Sequence, residues 1–468
     1  MIPNPNVFRE YDIRGLAARD FPDDFIKALG RALGTFWQRR GCKRVAVGRD
    51  CRLSSPRIHA ALMAGLTRCG LDIIDIGMVP SPLLYFTVFH YDLDGGVEIT
   101  GSHNPPDDNG FKIMLGKAGI TNADILELRE MIELDSRRDA DGNPAEYFTD
   151  RYDGTVTALD PSAAYAGFIR GNIQLGPHPV RFAMDAGSGA GGPMALLAMK
   201  TVGLQPISLL CEPDGHFPVH HPDPSLPENL ALLISTVREH NLDFGIAFDG
   251  DADRIGVVDR KGNVVFGDKL LIIYARALLA RHPGAPVLGE VKCSQVLYDD
   301  IAKRGGRPVL WKTGHSLIKK KMKEEHALLA GEMSGHVFFA DRFFGFDDAI
   351  YAALRFVEIA THTGLSIEAL LEGVPETFST PELRVDCSDE TKFDVVNRVL
   401  AHYKPTNRIV DVDGARILFD DGAWGLVRAS NTQPVLVLRF EAYTEARMNE
   451  IRADIEGVVT RARASMGA

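Results

Sequence analysis

The sequence predicts an α/β fold: three consecutive, topologically similar mixed α/β domains and a C-terminal α+β domain, their loops arranged around a central active-site cleft. Three observations carry this. Short β-branched runs alternate with amphipathic stretches in a βαβ rhythm that begins anew twice. Each round delivers a polar loop at a strand end, and the rhythm breaks after Gly373-Val374-Pro375. A chain of 468 residues exceeds what one core serves. The divisions fall at 1–153, 154–258, 259–373 and 374–468, with a repeat of structure and no strict sequence period.

In the first round, Arg44 to Gly48 and Leu71 to Gly77 read as strands. Between them Ile58, Ala61, Leu62 and Leu66 recur at helical spacing, with Arg57 and Arg68 turned away, so a helix covers the sheet. Pro80 and Pro82 punctuate the chain. Val97 to Thr100 is a strand entering the run TGSHNP at 100–105, and Gly110 to Leu115 a strand leaving it. The second round has a strand at Val180 to Asp185, a glycine-rich turn at 186–192, a helix at Met194 to Thr201, a strand at Pro206 to Cys211 and a helix at Glu228 to Asn241. It ends in two apolar runs, Phe244 to Phe248 and Ile255 to Val258, that flank DGDADR at 249–254. The third round has helices at Lys269 to Ala280, Ser294 to Arg304 and Ser316 to Glu325, and strands at Val287 to Val291 and Pro308 to Lys312, and it leads to GEMSGH at 331–336. Beyond the break, a strand at Leu383 to Cys387, a helix at Lys392 to Tyr403, hairpin segments around Asp420-Asp421-Gly422, a strand at Val435 to Phe440 and a terminal helix from Glu445 complete an α+β unit.

Composition narrows the function. A net charge of −11 argues against nucleic-acid binding, which needs a basic face; it leaves room for a small anionic ligand held by a local cluster of Arg, Lys and helix N-termini. The six cysteines show no paired spacing, so neither a zinc site nor a disulfide framework is expected. The N-terminal stretch lacks the basic and apolar regions of a secretory signal, and no apolar run approaches bilayer length. A cytoplasmic protein without a membrane partner is the expectation.

The loops carry the chemistry. Asp249, Asp251 and Asp253 offer oxygen ligands at alternate positions of a nonhelical loop, which suits a hard divalent cation. An EF-hand does not fit, because Arg254 stands where its glycine would be and Arg260 where its glutamate would be. Ser102 has a hydroxyl that can carry phosphate once a base or metal assists it, and His103 and Lys112 supply proton-transfer and phosphate-pairing groups nearby. Glu332 and Ser334 alternate in a short turn suited to two neighbouring sugar hydroxyls, with His336 beside them. Arg428 and the run Ser430-Asn431-Thr432-Gln433 make a nest for a dianion. Arg14, in YDIRG at 11–15, adds a candidate phosphate contact. Taken singly, each loop also reads as an ordinary polar turn.

Together TGSHNP, DGDADR, GEMSGH and RASNTQP, one per domain and in this order, resemble the α-D-phosphohexomutase family, most of all its bacterial phosphomannomutase/phosphoglucomutase branch. The resemblance extends to YDIRG, to VKCS at 291–294 and to WKTGHSLIKKKM at 311–322. It implies a Ser102 that is phosphorylated and passes its phosphoryl group to a hexose phosphate, giving a reorienting hexose 1,6-bisphosphate, which also serves as activator. It implies Mg²⁺ held by Asp249, Asp251, Asp253 and the Ser102 phosphate, and Arg254 steadying that phosphate. His103 and Lys112 are the candidates for proton exchange, a role that His315 or His336 could share. Glu332 and Ser334 would bind sugar hydroxyls and His336 would line their pocket. Arg428, Ser430, Asn431 and Thr432 would hold the nonreacting phosphate, and Tyr11, Arg14, Lys292 and His315 would complete the contacts. A hinged fourth domain would help close the cleft against water. Met333 and Ala252 favour mannose or glucose over glucosamine, whereas Gln433 departs from the commoner residues at its position. A phosphoglucosamine mutase, a metal-dependent phosphatase and a noncatalytic sugar-phosphate sensor are the alternatives. The expected partners are small sugar phosphates, and the expected state is a monomer or weak dimer.

Overall fold

The computed structural model describes residues 4–136, 147–148, 150–430 and 433–466. The chain forms two compact units, one of residues 1–266 and 334–369, the other of 267–333 and 370–468.

The first unit contains two mixed sheets. One has the spatial order Ile13–Leu16, Asp108–Leu115, Gly95–Ile99, Arg44–Arg49, Asp72–Met78, Val156–Ala158, with Ala118–Gly119 beside Asp108–Leu115. Its central strands are parallel, whereas Gly95–Ile99 and Asp108–Leu115 pair antiparallel. The TGSHNP loop therefore sits where the chain leaves the sheet and returns to it. Val45, Val47, Ile73, Val97 and Ile99 point into a core shared with helices Asp23–Arg39 and Ser55–Leu66. The second sheet runs Val264–Val265, Ile255–Asp259, Phe244–Phe248, Phe182–Asp185, Ile207–Leu209. Phe244–Phe248 and Ile255–Asp259 pair antiparallel from Phe244↔Asp259 to Phe248↔Ile255, so DGDADR occupies the end of this hairpin.

In place of one helix over Glu228 to Asn241, the structure has a 3-10 turn at Pro227–Leu230 and a helix at Ala231–Glu239. Helices Ser81–His90 and Ala349–Thr363 also belong to this unit; Ser81–His90 is buried on nearly every side, which removes the polar face that periodicity would reveal.

In the second unit, Arg307–Trp311 and Leu329–Gly331 flank Pro286–Glu290, all parallel. Their C-terminal ends release the loops that carry Lys292, His315 and Glu332. The C-terminal sheet is antiparallel, in the order Phe378–Ser379, Val435–Ala442, Trp424–Ala429, Ala415–Leu418, Arg408–Val410, with Leu383–Asp386 also on Val435–Ala442. Helices Lys392–Tyr403 and Glu445–Ala464 cover it through Val395, Val399, Ile451 and Ile455. No described helix is long and apolar enough to cross a membrane.

Candidate active site

Ser102 lies at the tip of its loop with φ 51°, in the left-handed region that a non-glycine residue occupies only under constraint. Its Oγ donates to Asp249 Oδ2 at 3.0 Å and lies 3.1 Å from His103 Nδ1. The two loops meet at backbone level: a Cβ on Gly250 would stand 2.5 Å from the Ser102 carbonyl oxygen, so only glycine permits this approach. The glycine-rich turn at 186–192 supports the second loop from below in the same way, since a Cβ on Gly189 would meet the Gly250 carbonyl at 2.5 Å.

Asp249 organises the triplet. Its Oδ1 accepts from the backbone N–H of Asp253 at 3.0 Å and of Arg254 at 3.1 Å. All three aspartates are buried, and their carboxylate oxygens lie within 4.8 Å of one another. Lys112 Nζ donates to Asp251 Oδ2 and Asp253 Oδ2. Burial disfavours that ammonium, yet Asp251 and Asp253 outweigh the effect and hold its pKa well above the ordinary lysine value. Asp249 is pushed well up by burial, then by Asp253 and Asp251. Asp253 goes the other way, since Lys112 and His336 overcome its burial. The triplet suits a hard cation: besides its oxygen donors, Asp251 Oδ1 is buried with no hydrogen-bond partner.

His103 is pushed well below the ordinary histidine value by burial and by the cations Arg254 and Arg14, so its imidazole is neutral at pH 7 and able to take a proton. Arg14 donates to Asn104 Oδ1 at 3.0 Å and to Asp12 Oδ2 at 2.6 Å, which ties YDIRG to the Ser102 loop. Tyr11 is half-buried three residues away in the chain. His336 lies with Nε2 3.2 Å from Asp253 Oδ1 and 3.4 Å from Arg254 Nε, and with Nδ1 3.1 Å from Ser334 Oγ. The first unit thus gathers Ser102, His103, Lys112, the three aspartates, Arg254, Ser334 and His336.

The second unit gathers Lys292, His315, Glu332, Arg428 and Ser430. Glu332 Oε1 accepts from the Gly314 N–H at 2.8 Å, just before the helix His315–Glu325. Arg428 Nε donates to Asp413 Oδ2 at 3.0 Å, and the Thr313 N–H donates to the same oxygen at 3.1 Å, so the RASNTQP loop and the WKTGH loop share one carboxylate. Asn431 and Thr432 lie outside the described residues. Met333 is half-buried.

Sequence reading missed several residues here. Ser81 donates to Asp251 through its hydroxyl and, at 3.0 Å, through its N–H. Glu98, the cross-strand partner of Lys112, is fully buried with neither carboxylate oxygen hydrogen-bonded, and burial with Asp50 pushes its pKa well up. Glu290, the last residue of the central parallel strand, accepts from the Met333 N–H at 3.0 Å and from the Thr313 hydroxyl, with Lys292 Nζ 3.4 Å away. Lys292 also donates to Glu382 at 2.6 Å; Glu290 and Glu382 together overcome the cost of burial and raise its pKa. Lys392 donates to the carbonyls of Ser430 at 2.6 Å and Gln433 at 3.2 Å, underneath the RASNTQP loop. Only the motif neighbourhood of Glu290 hinted at any of these.

Matches to known families cover nearly the whole chain. Residues 5–137, 163–262 and 266–378 match the phosphoglucomutase/phosphomannomutase alpha/beta/alpha domains I, II and III, and 382–458 match the C-terminal domain of the same enzymes. The chain belongs to the phosphoglucomutase/phosphomannomutase family. It thereby has four domains of mixed α/β sheets with helices, and its family is one of phosphotransferase isomerases. A phosphomannomutase/phosphoglucomutase of Pseudomonas aeruginosa is 45% identical over 449 residues, covering 96% of this chain and 94% of that one. A phosphoglucomutase of Neisseria gonorrhoeae is 43% identical over 457 residues, covering 97% and 96%. The crystal structure of a family protein from Burkholderia thailandensis superimposes with a TM-score of 0.89 at 38% identity, covering 98% of both chains.

Proposed function

We propose that this chain interconverts hexose 1-phosphates and hexose 6-phosphates, of mannose and glucose, through a phosphoserine enzyme. The observation that carries the reading is the Ser102 hydroxyl held 3.0 Å from a carboxylate of a buried Asp triplet, beside the neutral imidazole of His103. The 45% identity to a phosphomannomutase/phosphoglucomutase supports the substrate class.

In the working cycle Ser102 carries a phosphoryl group. The free hydroxyl of a hexose phosphate attacks phosphorus, the Oγ–P bond breaks as the sugar O–P bond forms, and the hydroxyl proton passes to a base. His103 and Lys112 are the candidates for proton exchange. His103, held neutral, suits accepting a proton, whereas the Lys112 ammonium, held charged by Asp251 and Asp253, suits pairing with the charge of the transferring phosphoryl group. The hexose 1,6-bisphosphate so formed reorients and returns its other phosphoryl group to Ser102. Mg²⁺ bound by Asp249, Asp251, Asp253 and the Ser102 phosphate would withdraw charge from the transferring group. Arg254 steadies that phosphate. Glu332 and Ser334 would each take a sugar hydroxyl, a role that His336, beside Ser334, would support. Arg428, Ser430, Asn431 and Thr432 would hold the nonreacting phosphate, with Tyr11, Arg14, Lys292 and His315 completing the contacts. A noncatalytic sugar-phosphate sensor would have no need of the Ser102–Asp249 pair, which favours the mutase reading.

The test follows mannose 1-phosphate and glucose 1-phosphate with Mg²⁺ and a trace of glucose 1,6-bisphosphate, measuring 6-phosphosugar and free phosphate together. Isomer without free phosphate, lost in Ser102→Ala while sugar-phosphate binding persists, is the expected result. Free phosphate without isomer would make the chain a phosphatase, and faster turnover of glucosamine 1-phosphate would move it to that substrate.

A further inference from the structure

We propose that Arg52 is the positioning residue of the phosphoryl-transfer serine, a clamp that fixes the Ser102 loop through its backbone. The inference rests on the reading of Ser102 as the phosphoryl carrier.

Arg52 follows the strand Arg44–Arg49 and is fully buried. A guanidinium has five N–H donors in a rigid plane, and here each nitrogen is engaged. Nε donates to Asp50 Oδ2 at 3.1 Å. Nη1 donates to the carbonyls of Pro105 and, at 3.0 Å, Asp108. Nη2 donates to the carbonyls of Ser102 at 2.8 Å and Asn104 at 2.6 Å. One side chain thus gathers four carbonyls from the seven-residue arc that begins at the serine. Asp50 completes the brace: its Oδ2 also accepts from the Gly101 N–H at 3.2 Å, and its Oδ1 from the Ser55 hydroxyl at 2.5 Å. The ring of Phe217 lies 5.2 Å from the guanidinium carbon and closes the cage.

The arrangement answers a specific need. A non-glycine residue at φ 51° is strained and relaxes unless its surroundings fix it. The peptide plane makes a captured carbonyl direct the next N–H the opposite way, so holding the Ser102 carbonyl fixes the 102–103 peptide and the backbone from which Oγ reaches Asp249. Lysine offers one point charge and cannot span the arc. Gly101 belongs to the same device, because a Cβ there would stand 2.5 Å from the guanidinium carbon.

Arg52→Lys and Gly101→Ala test the clamp from its two sides, one shrinking the guanidinium and the other displacing it. The measurements are kcat, KM and the rate at which glucose 1,6-bisphosphate phosphorylates Ser102, by intact mass, at a temperature where circular dichroism shows the folded chain. Both variants should lose about 10- to 100-fold in kcat and in Ser102 phosphorylation, with KM within about threefold of the parent, as a displaced reacting atom predicts. A folded Arg52→Lys with parental kcat, or a loss confined to KM, overturns the clamp. If Arg52→Lys does not fold, Gly101→Ala decides in the same terms. A parent chain that isomerises sugar phosphates without ever carrying phosphate on Ser102 overturns the phosphoserine reading, a result separable from parental phosphorylation with an indifferent Arg52.

Discussion

Lys112→Met should make the folded state of the first unit depend on divalent cation. Lys112 is the positive group hydrogen-bonded to both Asp251 and Asp253, in a site where these three side chains and Asp249 are all buried. Methionine keeps the volume and removes the charge. Breaking a buried pair by deleting one partner costs about 3–5 kcal/mol, because the remaining carboxylates are left uncompensated. In EDTA the variant should therefore melt well below the parent, whose own ammonium supplies counter-charge. Mg²⁺ at a hundred times its dissociation constant should return about 2.7 kcal/mol. The deficit should also vary with pH. Without Lys112 the folded carboxylates hold a proton more tightly than in the unfolded chain, so the variant keeps stability at low pH and loses it as pH rises, and its deficit is larger at pH 8 than at pH 5. The assay is thermal unfolding by circular dichroism at both pH values, with EDTA and with Mg²⁺. Coincident melting of variant and parent in EDTA at pH 8 would refute the claim that Lys112 compensates the triplet.

Three further outcomes follow from single residues. Burial pushes Asp348, the N-cap of Ala349–Thr363, up to about 7 against the hydrogen bonds it accepts from Tyr351 and Tyr165. Its contribution is then full below pH 4 and fades as pH rises to about 7, a difference of about 4 kcal/mol at 1.36 kcal/mol per unit; Asp348→Asn, which keeps the cap, should flatten that slope in unfolding measured from pH 5 to 8. Glu290→Gln should raise KM for the hexose phosphate about tenfold or more, in line with losing hydrogen bonds to a charged acceptor, and steady-state kinetics with kcat reduced and KM unchanged would count against it. Lys392→Met should likewise weaken sugar-phosphate binding by roughly tenfold in titration calorimetry, since the Ser430 and Gln433 carbonyls lose their shared donor.

What the sequence disclosed and what it withheld divide along one physical line. The Ser102 and Asp249 loops were legible because each is a contiguous polar run between two apolar strands, and those strands do pair antiparallel around it. Strand positions were legible for the same local reason: Arg44–Arg49, Phe244–Phe248 and Pro286–Glu290 lie within a residue or so of their expected bounds. Helix Ser81–His90 was not, because eight of its ten residues are buried and nothing polar marks an outer face. Ser81, Glu290, Asp413 and Lys392 were not legible either. Each is an ordinary polar residue with loop partners that stand tens to more than a hundred residues away, for example 170 for Ser81 and Asp251 and 100 for Asp413 and Thr313.

Those distant partners share a pattern that explains where the two units spend their buried charge. Each reactive or recognising loop is gripped by its backbone from a charged side chain set beneath it: Arg52 holds carbonyls of the Ser102 loop, Asp249 holds N–H groups of its own loop, Glu290 holds the Met333 N–H, and Lys392 holds carbonyls at 430 and 433. A charged group buried without partners would cost several kcal/mol, so these residues are tolerable only while the loops keep their shape. The dependence runs both ways. A loop that strays leaves its brace unsatisfied, and that penalty returns it to place. Changes to the braces should therefore show as lost precision: in kcat where the brace serves Ser102, and in KM where it serves the sugar and phosphate loops.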